Sequence, residues 1–158
     1  MTRRWPEVTL GCTDESVCFI AEYMRESDRV ETQLSSGLKP CDVVRRAVDI
    51  SGQVWTVSDG DPVAVFGVAG ARAGGIPWVL GTDRLGRYAR FLVAFPKAFL
   101  ADAVRRYGYL YNYVWSGNET AKHWLRHLGF RLTGPVRFGV AGADFCYFDM
   151  GDIRCANQ

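Results

Sequence analysis

The chain has no long apolar run, no Cys-x-x-Cys pair and almost no lysine, and each shortage removes a class of protein. Its longest apolar stretches, such as Phe91 to Phe95, fall far short of the ~20 residues that a membrane-spanning helix needs, so no such helix is expected. The five cysteines, Cys12, Cys18, Cys41, Cys146 and Cys155, are odd in number and show no paired spacing. That pattern fits neither a disulfide framework nor a zinc site, and it reads as buried or incidental thiols in a reducing compartment. His123 and His127 are the two histidines and stand four apart, so they could face one metal. With no glutamate at the metalloprotease position between them and no third histidine, no metal site is expected. Met1-Thr2-Arg3-Arg4 runs on into Trp5, Pro6 and Glu7 instead of an apolar core, which argues against a secretory signal.

An excess of charge of one sign is also lacking. Nineteen basic against 17 acidic side chains leave a net charge of +2, too balanced for nucleic acid or an anionic membrane as the main partner. Only Lys39, Lys97 and Lys122 among the basic residues are lysines. Arginine's fork suits phosphate, but this excess is read as composition and not as a DNA-binding surface. What is present is a globular composition, 48% hydrophobic and 13% aromatic, in 158 residues. One domain spanning 1–158 is expected.

Along the chain, Val8 to Cys12 reads as a first strand. Thr13 or Asp14 can cap a helix that carries Val17, Ile20, Ala21 and Met24 on one face. Arg25 to Lys39 is charged and polar with a break at Ser35-Ser36-Gly37, and Pro40 opens a second helix through Val43, Val44, Ala47, Val48 and Ile50. Gln53 to Ser58 and Pro62 to Ala69 flank Asp59-Gly60-Asp61, a hairpin signal. Gly70 to Gly75 reads as a small-residue loop and Ile76 to Gly81 as a central fourth strand. Thr82 or Asp83 can cap a long helix in which Leu85, Tyr88, Ala89, Leu92, Phe99, Leu100 and Ala103 recur, and Pro96 should kink it or split it in two. Tyr109 to Trp115 is a fifth strand, while Phe130 to Phe138 and Phe145 to Met150 should pair as a final hairpin.

Between them, Asn118 to Phe130 reads Asn-Glu-Thr-Ala-Lys-His-Trp-Leu-Arg-His-Leu-Gly-Phe. Asn118 can cap the first turn, Ala121, Leu125 and Leu128 recur at helical spacing, and Gly129 supplies a left-handed exit. At this spacing the segment resembles the penultimate helix of the GNAT superfamily of acetyl-CoA-dependent N-acetyltransferases, whose pattern is Asn-x-x-Ala-x-x-x-Tyr-x-x-x-Gly-Phe. The element order agrees over most of the chain. The resemblance implies an α/β (α+β) fold: a mixed, mostly antiparallel seven-stranded sheet with about four helices and splayed fourth and fifth strands. It also implies that the notch between those strands takes a pantetheine arm, and that the turn after the fourth strand meets the pyrophosphate with backbone N–H groups at a helix start.

The residues that would do this are altered. Leu125 stands where the family places its general-acid tyrosine. The family writes the phosphate turn as Gln or Arg, x, x, Gly, x, Gly or Ala. With Gly86 at the first glycine, Asp83 leads and Tyr88 closes the turn; one register on, Arg84 and Ala89 fit but Arg87 replaces glycine. If acetyl-CoA binds, the resemblance points to Gly81, Arg84, Gly86, Arg87 and Asn118 as its contacts. Arg84, Arg87 and Arg90 could supply charge-assisted bonds to phosphate, although solvated helix arginines are the plainer reading. No catalytic residue is assigned. Tyr109, Tyr111 and Tyr113 share one strand face and one of them could replace the lost acid, packing against a helix being the plainer alternative. There is no Gly-x-Ser-x-Gly, and no cysteine has a recognisable histidine partner.

The string Asn112-Tyr113-Val114-Trp115-Ser116-Gly117-Asn118 resembles a narrower group, the GNAT-like internal virion protein A family of short-tailed bacteriophages. There an Asn-Tyr-Val-Trp-x-Gly-Asn run follows the long helix and the pyrophosphate glycines are likewise degraded. This implies a non-catalytic, virion-associated internal or assembly protein, with no cofactor expected. Its place would be the virion or host cytoplasm, its partners other virion or host proteins, and a homo-oligomer through its last strands stays open. Two alternatives remain: an active acetyl-CoA-dependent N-acetyltransferase modifying a host protein or small amine, and a host-takeover binding protein.

Overall fold

Alternation along the strands sets the architecture, because successive strand residues face opposite sides of a sheet. In the computed structural model, which describes residues 5–152, Val65 packs with one set of helices while its neighbours Ala64 and Phe66 pack with another. The elements are β1 (Glu7–Leu10), α1 (Asp14–Glu22), α2 (Glu26–Ser35), α3 (Pro40–Ile50), β2 (Ser51–Ser58), β3 (Pro62–Ala71) and β4 (Gly74–Gly81). A 3₁₀ turn (Asp83–Tyr88) follows, then α4 (Ala89–Tyr107), β5 (Tyr109–Trp115), α5 (Glu119–His127), β6 (Arg131–Phe138) and β7 (Ala143–Gly151). The strands form one seven-stranded sheet in the order β1-β2-β3-β4-β5-β7-β6. Every neighbouring pair is antiparallel except β4 and β5. The mixed, mostly antiparallel sheet is therefore as expected, with five α-helices instead of about four.

One face is closed by α1 and α3: Val17, Ile20, Ala21 and Met24 meet Val44 of α3 and Val54, Val65 and Leu80 of the sheet. Thr13 caps α1, its hydroxyl accepting from the Ser16 N–H at 3.1 Å. On the other face α4 presents Phe91, Phe95 and Phe99 at i, i+4 spacing, and Phe66 and Trp55 complete an edge-and-stack pile with ring centroids 5.0–6.5 Å apart. Farther along, Leu100 and Ala103 of α4 and Leu125 and Leu128 around α5 bury Leu110, Val114 and Phe148.

Three expectations need correction. The polar stretch 25–39 holds a helix, α2, whose one buried residue is Asp28; without an apolar stripe it leaves no periodic signal. The stretch from Gly70 to Gly75 is not a loop, since β3 runs to Ala71 and β4 starts at Gly74, leaving only Arg72 and Ala73 between them. Its glycines allow close packing instead: a Cβ on Gly74 would lie 2.2 Å from the Tyr109 carbonyl oxygen. Finally, α4 runs unbroken through Pro96, and neither Thr82 nor Asp83 caps it. The Thr82 hydroxyl instead donates to the Val63 carbonyl at 3.2 Å.

Proline at position 96 has no N–H to give the carbonyl of Leu92, four residues earlier. The indole N–H of Trp124 on α5 takes that place, donating to the Leu92 oxygen at 2.8 Å. The bond ties α5 to α4 at the point where α4 would otherwise carry an orphan acceptor. Trp124→Phe should therefore cost about 1–3 kcal/mol of unfolding free energy in denaturant titrations. In a Pro96→Ala background the cost should shrink, because alanine at that position restores the helical N–H donor.

Candidate functional site

Parallel strands β4 and β5 pair in register only at Gly75 and Leu110, among the described residues, and then diverge. Divergence leaves strand backbone groups without a ladder partner, and each needs another one. The chain itself provides them. Asn112 of β5 donates its Nδ2 to the Pro77 carbonyl of β4 at 2.9 Å, spanning the gap. At the end of β4, the Gly81 N–H donates to Asp28 Oδ2 at 2.9 Å and the Gly81 carbonyl accepts from Arg25 N–H at 2.9 Å. At the end of β5, the Trp115 N–H donates to Glu31 Oε1 at 3.2 Å, and Asn118 Nδ2 reaches Glu31 Oε2 at 3.4 Å.

Asp28 and Glu31 lie one turn apart on α2, so this helix crosses the open end of the notch and grips both strands. Arg25 pairs with Asp28 at 2.8 Å. Burial raises the Asp28 pKa, with Arg25 opposing the rise. Burial also pushes Glu31 up to about 7; the Trp115 N–H works against this and the neighbouring Asp28 carboxylate adds to it. Composition and spacing gave no hint of this pair, because two acids in a polar segment normally read as a solvated face.

The phosphate turn is differently employed. Arg84 forms ion pairs with Asp59, and with Asp61 at 2.9 Å, both in the β2–β3 turn. Tyr88 also donates its hydroxyl to Asp59. Arg84 is thus neither a solvated helix arginine nor a free phosphate donor. Gly81 is buried beneath Leu85, whose Cδ2 would lie 3.0 Å from an added Cβ. Gly86 faces open space, and Arg87, Arg90 and Asp83 are exposed. Asn118 caps α5 by accepting from Ala121 N–H at 3.2 Å. Gly129 takes φ +101°, the left-handed exit. Leu125 is buried in the α4–α5 core.

The tyrosines of β5 pack on aromatics of the last two strands and not on a helix. Tyr113 stacks on Phe138 with centroids 3.9 Å apart, and Tyr111 lies over Tyr109. The Tyr109 hydroxyl donates to Asp149 at 2.6 Å and shares a 2.6 Å hydrogen bond with Tyr147, while Asp149 also accepts from Arg131 at 3.0 Å. Burial, then Asp149, raises the Tyr109 pKa, so its proton is committed to an internal carboxylate. His123 and His127 are both exposed.

The Asn112–Asn118 string acts as one unit. A Cβ on Gly117 would come 2.4 Å from the Trp115 ring, so glycine is what lets the indole lie across this turn. Asn112, Trp115 and Asn118 then supply the three contacts to Pro77 and Glu31 already described.

Solved structures share this fold. A probable acetyltransferase from Staphylococcus epidermidis superposes with a TM-score of 0.66 at 13% identity, over 92% of this chain and 98% of that one. Spermidine N-acetyltransferase from Vibrio cholerae in complex with CoA and spermine gives 0.64 at 13% identity, over 91% and 95%. A GNAT superfamily phosphinothricin acetyltransferase from Sinorhizobium meliloti in complex with AcCoA gives 0.64 at 13%, over 94% and 89%. No protein-family model and no curated protein sequence matches the chain. The fold is that of the GNAT acetyltransferases.

Acetyl-CoA, the ligand that fold implies, does not match the donor set in the family's manner. The Gly81 and Trp115 N–H groups are spent on carboxylates, Asn112 holds the Pro77 carbonyl, and Arg84 is neutralised by two aspartates.

A half-buried glutamate with a raised pKa has a defined effect on stability. Glu31 favours the folded state fully below its ordinary pKa of 4.5, and that contribution is lost as pH rises through about 7. Ionised Glu31 should then cost the fold on the order of 3 kcal/mol. Glu31→Gln keeps an acceptor for Trp115 without the charge. In denaturant titrations it should match the parent near pH 4.5 and exceed it in stability above pH 7.

Proposed function

We propose that this protein is a non-catalytic member of the GNAT-fold class acting as a virion-associated internal or assembly protein of a short-tailed phage. One observation carries the non-catalytic part: four backbone groups of the β4–β5 notch, the Pro77 and Gly81 carbonyls and the Gly81 and Trp115 N–H groups, are satisfied by the chain's own Asn112, Arg25, Asp28 and Glu31. A ligand would have to displace the Asp28 and Glu31 carboxylates before it could use those N–H groups, which adds a cost to binding. Leu125 offers no proton where the family's acid would stand, and Tyr109 holds its own against Asp149. The virion part is supported by the likeness of the Asn112–Asn118 string to the phage internal virion protein A family. On this reading the partners are other virion or host proteins and the protein resides in the virion or host cytoplasm.

A second reading is an active acetyl-CoA-dependent N-acetyltransferase acting on a host protein or small amine. It is favoured by the open space at Gly86 beside the exposed Arg87 and Arg90, and by neighbours solved with CoA or AcCoA. Calorimetric titration with acetyl-CoA separates the two readings. The proposal expects no saturable heat up to roughly 1 mM ligand, whereas 1:1 binding at micromolar Kd would overturn it in favour of the second. For the virion role, mass spectrometry of purified particles should detect the chain.

A further inference from the structure

Helix α2 is attached to the molecule almost entirely by polar contacts. Val30 and Leu34 are only half-buried, and neither belongs to the three apolar clusters of the fold. By contrast α1 buries Val17, Ile20 and Ala21. What holds α2 is Asp28 on Gly81, Glu31 on Trp115 and Asn118, and the guanidinium of Arg29 on the carbonyls of Ala21, Glu22 and Met24 at 3.1, 2.7 and 2.9 Å. At its far end, Val140 and Ala141 of the β6–β7 turn donate to the Ser35 and Leu34 carbonyls at 3.1 Å each. An element with no buried apolar side chain belongs to the low-stability end of a structure.

The charge balance under α2 is also narrow. The charged groups acting on Glu31 are Asp28 and Arg25, at the same end of the helix, while the β5–α5 turn facing it contributes the N–H groups of Trp115 and Asn118 and no charge. One cation therefore serves the buried Asp28 and the half-buried Glu31. With Glu31 protonated, Arg25 and Asp28 balance; with Glu31 ionised, a buried negative charge is left uncompensated.

We propose that α2 is a proton-linked strap: it grips the ends of β4 and β5 while Glu31 is neutral, and it lifts as a unit when Glu31 ionises. Lifting bares the N–H groups of Gly81 and Trp115 to any partner that brings its own acceptors. This goes beyond the proposed function and holds whether or not acetyl-CoA binds.

Amide hydrogen exchange on the intact protein tests it, with rates corrected for the intrinsic pH dependence of exchange. At both pH 6 and pH 8, protection over 26–35 and at Gly81 and Trp115 should lie below that of β3, which reports global stability, and it should fall by about tenfold between the two. In Glu31→Gln that fall should vanish while β3 stays better protected than α2, showing the variant is folded. If α2 is protected as strongly as β3 at both pH values, or if Glu31→Gln loses α2 protection as the parent does, the strap is refuted.

Discussion

The structure turns on the parting of β4 from β5. Two parallel strands that meet at one residue pair and then diverge cannot complete a ladder, and the sheet tolerates the gap only because other groups satisfy its edges. Here the filling comes from within. A side-chain amide bridges the gap at Pro77, and two carboxylates one helical turn apart hold the strand ends at Gly81 and Trp115. The notch between the two strands is in this chain a place where the protein binds itself.

Much of the neighbouring sequence follows from that arrangement. Trp115 must present its backbone N–H to Glu31 while its ring folds over Gly117, and Asn118 must cap α5 while reaching the same carboxylate. One helix farther on, Trp124 completes α4 where Pro96 leaves Leu92 unpaired. Leu125, next to it, joins the core beneath. The helix that resembles an acetyltransferase signature is thus accounted for as architecture: cap, brace, core residue and left-handed exit.

Features that were legible in the sequence are those with a periodic or steric cause. The apolar faces of α1, α3 and α4, the Asp59-Gly60-Asp61 hairpin, the Asn118 cap and the Gly129 exit each follow from a local rule. Illegible were the features that depend on a distant partner. Helix α2 has no apolar stripe, so nothing local announces it, and its acids acquire meaning only opposite Gly81 and Trp115, which lie 53 and 84 residues away. Arg84 reads in sequence as a solvated helix arginine or, less plainly, a phosphate donor, because only the fold brings Asp59 and Asp61 against it. Pro96 suggested a break because the donor that rescues Leu92 sits in another helix.

The central claim is that α2's carboxylates occupy the backbone donors of the notch, and the amide of Trp115 reports on it directly. In a two-dimensional NMR pH titration, its proton and nitrogen shifts should follow ionisation of the hydrogen-bonded Glu31 carboxyl, with a midpoint near 7. A Trp115 amide whose shifts stay flat through that range, or titrate only at the ordinary glutamate value of 4.5, would contradict the account.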